Sequence, residues 1–296
     1  MKKHLAILYL AFIVLSGFFL RFYRLIEIPP GLLPDEAAAG YDAYALLQTG
    51  KDHHGAKFPL TFLTFGDWTG HSFNYQLIPF IYIFGLNKFA IRTAVAFLSA
   101  VTILLIYLLG KTLTGKNKVS LVMALLFAQS TFSISTSRWA VQPNTVPFFV
   151  TFGLLVFFWA INTNKGYIFF SLSGILYGLS LYSYPSVEGF IPIWLIGASL
   201  IYYFMRPASK KRVILSRILF LLLSFFITSM PLLTDHLLRP ETIFIRLKMV
   251  SIFTQSENFL LSFVKNYISY FLPVPLFISD RNLIRAVTEF FNENMF

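Results

Sequence analysis

The chain has 296 residues, of which 56% are hydrophobic and 12% are charged, and its mean hydropathy is +0.68. Soluble domains carry about 25% charged residues, so the composition excludes an ordinary soluble domain and indicates a membrane protein. The net charge of +11 does not indicate nucleic-acid binding, because the basic residues lie between apolar segments and form no single patch. The sequence contains no cysteine, which excludes disulfides, thiol chemistry and cysteine metal sites.

The first apolar segment, residues 5–20, follows the basic start Met1-Lys2-Lys3-His4. It is similar to a signal peptide, but no small-residue cleavage site follows it. We therefore predict a retained first transmembrane helix. The other apolar segments that approach the about 17–25 residues needed to span a bilayer are residues 91–109, 119–135, 146–161, 167–184, 187–204 and 213–233.

The Lys and Arg residues decide the status of one short apolar segment, residues 75–86, which contains Pro79. If this segment does not span, the loops at 111–118, 162–165 and 206–217 lie on the side of the N-terminus, and together they hold nine Lys and Arg residues. If it spans, all nine lie outside, against the positive-inside rule. The sequence therefore predicts seven spans, a cytoplasmic N-terminus, and residues 75–86 at the outer interface.

We accordingly predict an all-α polytopic protein of the plasma (inner) membrane, with a single domain over residues 1–296. Its outer face carries a long loop, residues 21–90, and a tail, residues 234–296. The Ala- and Leu-rich segment 35–47 predicts a short interfacial helix in the loop, whose first turn Pro34 fixes.

Two adjacent carboxylates, Asp35 and Glu36, open this helix. Acidic side chains in a first turn complement the helix dipole and need no catalytic role for that purpose. The spacing alone leaves both the structural and the catalytic interpretation open.

Several segments resemble the bacterial PMT-like membrane glycosyltransferases, which are relatives of the dolichyl-phosphate-mannose protein mannosyltransferases and of the lipid A aminoarabinose transferases in the glycosyltransferase C superfamily. The most specific is GLLPDEAAAGYDAYALLQTGKDHHGAKFPL, residues 31–60. The others are FGDW at 65–68, FIYIFGLNKFAIRTAVAFLSAV at 80–101, STSRWAVQPN at 135–144, LYSYPSVEGFIP at 181–192 and HLLRPETIFIRLKMVSIF at 236–253.

The resemblance implies an inverting glycosyltransferase that moves a sugar from a polyprenyl-phosphate carrier to a protein, lipid or glycan acceptor at the outer face. It makes Asp35 the acid of the first outer loop and Glu36 the second member of the family's Asp-Glu pair, so both are catalytic candidates. The acceptor hydroxyl must lose its proton as it attacks the anomeric carbon, and a positioned carboxylate accelerates such a step about 10²–10⁴-fold. The departing phosphate needs cations or hydrogen-bond donors instead.

The sequence departs from the family at two loop positions. Gln142 stands where relatives often carry an acid, and its amide can bind sugar hydroxyls but cannot act as a base. No lysine follows the Gly-Asp pair at 66–67, and His71 is the nearest cationic candidate for the carrier phosphate.

Three arginines of the predicted outer face, Arg138, Arg239 and Arg246, are further candidates for the carrier phosphate, because a guanidinium binds phosphate with two parallel hydrogen bonds. Anchoring to lipid headgroups is the alternative for each. The sequence has no metal-binding motif, so we expect no cofactor, although a divalent metal stays open.

Two alternatives remain. Relatives continue for several spans beyond the region that resembles residues 258–296, so we expect a truncated chain; together with Gln142, this favours an inactive or partial protein that binds carrier lipid. The second alternative, a lipid or solute transporter, needs ionisable residues inside the spans, and apart from Lys111 near an end the predicted spans contain essentially none. Glycosyl transfer is favoured, with a polyprenyl-phosphate-linked sugar, an acceptor and the bilayer as partners, and no nucleic acid.

Overall fold

The computed structural model describes residues 3–69, 73–163, 166–242 and 259–269, which are helical apart from loops and one small β-hairpin. Contacts divide the chain into two units, Met1–Thr242 and Ile243–Phe296. In the second unit the described residues form one helix, Phe259–Ser269, in which several large apolar side chains are exposed. The expectation of a single domain over residues 1–296 stays a prediction.

The described part of the first unit contains ten α-helices, two short 3₁₀ helices at Gln142–Thr145 and Ala208–Lys210, and one hairpin. In the hairpin, β1 (Phe62–Thr64) pairs antiparallel with β2 (Asp67–Thr69). The helices are α1 (Lys3–Phe22), α2 (Pro34–Thr49), α3 (Phe73–Phe84), α4 (Lys88–Thr114), α5 (Asn117–Gln129), α6 (Thr131–Ser137), α7 (Val146–Asn162), α8 (Gly166–Leu181), α9 (Pro185–Phe204) and α10 (Lys211–Leu238).

Five helical segments of the described residues are long and apolar enough to cross a membrane: α1, α4, α7 with its preceding 3₁₀ turn, α9 and α10. Together α5 and α6 give a sixth, bent by 56° at the break between them. Helix α8 has 16 residues, just short of the about 17 that a span needs. The all-α polytopic fold is therefore confirmed, and the number of seven spans stays a prediction.

The helices end where their caps lie, beyond the apolar runs that predicted them. Helix α4 begins after Asn87, whose side chain accepts the backbone N–H of Ala90 (2.9 Å), and it ends at Gly115, which has a φ of 68°. Helix α10 continues to Leu238, five residues past the predicted span end. Helix α3 has 12 residues and is too short to cross, as predicted for this segment.

The contacts of two glycines show how α8 is oriented relative to α10. A Cβ atom on Gly174 would lie 2.2 Å from the carbonyl oxygen of Leu221 and 2.2 Å from Oγ of Ser224, and one on Gly178 would lie 2.7 Å from Thr228. The contact advances along both helices together, so α8 and α10 run parallel with their backbones in close approach. Two helices separated by one other helix are parallel if all three cross the bilayer.

Helices that follow each other, such as α7 and α8, run antiparallel, so their ends alternate between the two ends of the unit. The Ser173 hydroxyl of α8 donates to the Gly153 carbonyl of α7 (3.0 Å), while Phe157 stacks edge-on against Phe170. The C-terminal ends of α1 and α10 and the N-terminal ends of α4 and α9 meet the long loop at one end, which we name the loop end. Contacts that join these segments there include Arg21–Ser99, Thr61–Asp235 and Glu188–His236.

The opposite end of the unit, named here the basic end, collects positive charge. It comprises the α4–α5 connection, the N-terminus of α8 and the α9–α10 connection, where Gly166 lies against Arg217. The cations described there are Lys111, Lys116, Lys118, Arg206, Lys210, Lys211, Arg212 and Arg217.

The substitution Gly174→Ala is expected to destabilise the protein, because the new methyl group would overlap the α10 backbone. Overpacking of this kind costs about 1–3 kcal/mol. The control is Gly197→Ala in α9, since no described atom lies within 4 Å of a Cβ added there. Thermal unfolding in detergent should show a lowered midpoint for the first variant alone, and equal midpoints would contradict the close α8–α10 contact.

Candidate functional site

Asp35 and Glu36 stand in the first turn of α2, and their side chains have opposite surroundings. The helix begins at Pro34, one residue before the predicted segment 35–47. Glu36 is fully buried, whereas Asp35 is exposed and forms no hydrogen bond or ion pair with any described residue. Consecutive helical positions lie about 100° apart, so one carboxylate faces the protein while its neighbour does not.

The buried carboxylate of Glu36 joins four parts of the chain. Its Oε1 accepts from Nε of Arg92 (3.0 Å) and from the backbone N–H of Ala140 (2.8 Å). Its Oε2 accepts from Nη2 of Arg92 (3.0 Å) and from the backbone N–H of Leu33 (3.0 Å), which caps α2. Four hydrogen bonds occupy the lone pairs of the carboxylate, so Glu36 could accept a proton only if one of these bonds broke.

The partner of Glu36 is Arg92, in the first turns of α4, and its side chain is also fully buried. Three N–H groups of Arg92 remain, two on Nη1 and one on Nη2, and they donate to carbonyl oxygens of the loop after α1. These oxygens belong to Leu25 (3.2 Å), Pro29 (2.8 Å) and Gly31 (2.8 Å). All five guanidinium donors are therefore used.

Arg138, a predicted carrier-phosphate candidate, is occupied in the same way and is 7% exposed. Its five donors bind the carbonyl oxygens of Leu20 (2.9 Å), Arg21 (3.3 Å), Tyr23 (2.6 Å) and Ile28 (3.1 and 2.8 Å). Burial lowers the pKa of Arg138, and the positive charge of Arg92 lowers it further. The structure thus leaves no donor of Arg138 for a phosphate, and its geometry is that of a structural clamp.

A third arginine, Arg21 at the end of α1, is fully buried and holds the break between α5 and α6. Carbonyl groups at a helix end lack intrahelical partners, and two of the Arg21 bonds go to such groups. Its acceptors are Oγ of Ser99 (2.8 Å) and Ser133 (2.7 Å) and the carbonyls of Gly17 (3.0 Å), Ala128 (3.1 Å) and Phe127 (3.4 Å).

The expectation that the spans contain essentially no ionisable residue apart from Lys111 is wrong, because Arg92, Glu188 and Arg217 lie inside predicted spans. Arg92 lies inside the predicted span 91–109 and is completely buried. A charge in such a segment needs a partner, so Arg92 signals in the sequence that a buried acid exists, although it does not show which acid this is. Because every donor of Arg92 binds protein, its presence does not mark a transport pathway.

Gln142 opens the 3₁₀ helix after α6, two residues beyond the Ala140 that binds Glu36. Its side chain is half-buried, and its amide has no hydrogen-bond partner among the described residues. The Asn144 amide donates to the carbonyls of Thr136 (2.7 Å) and Trp139 (2.9 Å), which fixes this turn. The Glu36–Ala140 bond therefore brings the segment of Gln142 to the start of α2.

Arg239 is tethered but keeps donors. It forms an ion pair with Asp235, donates through Nη2 to Thr61 Oγ1 (2.7 Å), and lies 4.9 Å from the ring centroid of Trp68. Its side chain is 33% exposed, and Nη1 has no partner among the described residues. His71 and Arg246, the other predicted phosphate candidates, lie outside the described residues. In that described part no cluster of His, Asp and Glu has the geometry of a metal site, and the absence of a cofactor stays a prediction.

A family model described as dolichyl-phosphate-mannose-protein mannosyltransferase (PMT) matches residues 11–251. The chain belongs to this family. The resemblance drawn from the sequence is therefore confirmed. None of the curated proteins matches the sequence of this PMT-family chain.

Solved structures share the fold of this family member. The Pmt1–Pmt2 protein O-mannosyltransferase complex of S. cerevisiae, bound to its sugar donor, has a TM-score of 0.61 at 16% identity and covers 82% of this chain. The Archaeoglobus fulgidus oligosaccharyltransferase in the apo form has a TM-score of 0.57 at 14% identity and covers 97%. The enzyme AglB of the same organism, in complex with an inhibitory peptide and a dolichol-phosphate, has a TM-score of 0.57 at 15% identity and also covers 97%.

The chain spans between 35% and 39% of the length of those three solved chains. Because the sequence identities are only 14–16%, the structural similarity shows a shared fold and nothing further.

The substitution Arg92→Met is expected to destabilise the protein, because it leaves the buried carboxylate of Glu36 without its cation. Breaking a buried pair from one side costs about 3–5 kcal/mol. The matched control is Arg24→Gln, which removes the exposed pair with Glu27 and should leave the thermal unfolding midpoint unchanged. Similar midpoints for the two variants in detergent would show that the buried pair does not hold the loop end.

Proposed function

We propose that this chain is an inverting glycosyltransferase that moves a sugar from a polyprenyl-phosphate carrier to an acceptor, with Asp35 as the general base. Membership of the mannosyltransferase family and the fold shared with an O-mannosyltransferase complex support the reaction class. The observation that carries the assignment is the contrast at the start of α2. Asp35 is exposed and unpaired within the described residues, while Glu36 beside it is locked.

The reaction that fits this geometry is a single displacement. The acceptor hydroxyl gives its proton to a carboxylate oxygen of Asp35 as its own oxygen bonds to the anomeric carbon. The bond from that carbon to the carrier phosphate oxygen breaks, and its electron pair leaves with the phosphate. Attack opposite to the leaving group inverts the anomeric centre, and one base is enough because the phosphate leaves unprotonated.

Glu36 then acts on the reaction through Asp35. Its bonds to Arg92 and to the Ala140 backbone fix the first turn of α2, and with it the direction of the neighbouring carboxylate. Such positioning matters because a small displacement of a catalytic group lowers the rate strongly. Gln142, held near this turn, supplies an amide to sugar hydroxyls.

Arg239 supports the carrier phosphate in this proposal, since it is the described loop-end arginine among the predicted candidates whose Nη1 has no partner in the described part of the chain. The ion pair with Asp235 and the ring of Trp68 hold its guanidinium in place. His71 and Arg246 stay predictions for the same phosphate.

The loop end lies on the outer side of the plasma membrane in this proposal, with the N-terminus in the cytoplasm. The cations gathered at the basic end support this orientation through the positive-inside rule. Carrier-linked sugar, acceptor and base would then meet outside the cell.

The substitution Asp35→Asn is expected to lower sugar transfer about 10²–10⁴-fold, because the amide cannot accept the hydroxyl proton. The measurement is transfer of radiolabelled sugar from polyprenyl-phosphate donors in membranes. Glu27→Gln is the control, since Glu27 is an exposed acid of the same loop, and its transfer should equal that of the native chain. Equal turnover of Asp35→Asn and the native chain would remove Asp35 from the mechanism.

A second candidate function is binding of the carrier lipid without transfer. The observation in its favour is Gln142, which lies near the start of α2 where relatives often carry an acid, because an amide cannot act as a base. Lipid binding with no transfer from any donor tested would select this function over the first.

A further inference from the structure

A second acid of α2, Asp42, is completely buried and pairs with a histidine. Its Oδ1 accepts from the backbone N–H of His53 (2.9 Å) and lies 2.5 Å from Nδ1 of the same ring. Its Oδ2 accepts from Nδ2 of Asn74 (3.3 Å). No Lys or Arg binds Asp42 in the part of the chain that the structure describes. A buried carboxylate is costly unless it is paired, and His53 is the ionisable group that pairs it.

The histidine belongs to a closed turn, residues 51–57, named here the basic turn. A backbone bridge between Lys51 and Lys57 closes it. Inside, the Asp52 carboxylate accepts from the backbone N–H groups of His54 (3.0 Å) and Ala56 (2.7 Å) and is 7% exposed. The acid of the turn therefore faces inward and satisfies its backbone, while both lysine side chains are exposed.

The two histidines of the turn differ in what their rings have left to bind. The His54 ring donates from Nε2 to the Leu63 carbonyl (3.1 Å). The His53 ring is bound at Nδ1 by Asp42, its side chain is 31% exposed, and Nε2 has no partner among the described residues. A carboxylate at Nδ1 fixes the orientation of a histidine and presents its other nitrogen to a ligand. When both ring nitrogens carry a proton, Nδ1–H of His53 donates to Asp42 and Nε2–H can donate to an anion.

We propose that the basic turn binds the phosphate group of the polyprenyl-phosphate sugar, with Nε2–H of His53 as the donor and Lys51 and Lys57 as supporting cations. This inference rests on the proposed function, and it adds the residue that holds the leaving group. The basic turn would then bind the carrier phosphate, which Arg138 cannot do because all of its donors bind backbone carbonyls.

Asp42, which holds the His53 ring, lies seven residues after Asp35, so their backbones are about 10.5 Å apart along the axis of α2. The proposed base and the residue that orients the proposed phosphate donor are therefore carried by the same helix.

The test is the dissociation constant of undecaprenyl phosphate, measured by native mass spectrometry on the purified full chain in detergent. His53→Gln should weaken binding at least tenfold, whereas His54→Gln, the matched neighbour, should change it less than twofold. Asp42→Asn should weaken binding as well, since the ring loses its fixed orientation. The unfolding midpoint of each variant is recorded as a control for folding. Asn74→Ala is a further control, because it removes a hydrogen bond to Asp42 but keeps the His53 ring, and so shows the effect of loosening Asp42 alone.

Equal dissociation constants for His53→Gln and the native chain would overturn the inference, as would equal losses for His53→Gln and His54→Gln. Competition by millimolar inorganic phosphate supports recognition of the phosphate group. Equal binding of phosphatidylglycerol would instead make the turn a headgroup site and overturn the assignment to the carrier. If the native chain binds undecaprenyl phosphate through His53 but transfers no sugar, the proposed function fails while this inference stands.

Discussion

The ion pair between Glu36 and Arg92 is the interaction on which the loop end depends. Both groups are removed from water, a step that is unfavourable unless every charge and donor finds a partner. Here each does: the carboxylate receives four hydrogen bonds and the guanidinium gives five. The bonds reach the loop after α1, the first turn of α2, the start of α4 and the segment after α6. One buried pair thus fixes four segments that the sequence separates widely.

Arg21 and Arg138 extend the same principle. The chain between α1 and α2 forms no helix or strand, so its carbonyl groups have no regular partners, and near a membrane such groups need partners from the protein. The three arginines supply them, because a guanidinium carries five donors in one plane. Arginine therefore acts here mainly on the backbone. The proposed recognition of the carrier phosphate falls instead to Arg239 and His53, whose Nη1 and Nε2 atoms have no partner among the described residues.

Local features of this fold could be predicted from the sequence, and distant contacts could not. The start of α2 was predictable because Pro34 and the two acids act within one helical turn. The role of Glu36 was not, because Arg92 lies 56 residues away and the spacing does not reveal the contact. Arg138 was predicted to face a phosphate from its place after a span; its burial under the carbonyls of the preceding loop is a tertiary fact. The burial of Asp42 and its pairing with His53 were not predictable either, because they depend on the turn folding back against α2.

The bond between Thr61 and Asp235 joins residues that are 174 positions apart. Translation at about 5–20 residues per second separates the synthesis of these two residues by roughly 10–35 s. Throughout that interval the first loop has left the ribosome while its anchor on α10 does not yet exist. A membrane insertase or chaperone that shelters the loop during this time would therefore affect the yield of folded protein without touching the finished molecule.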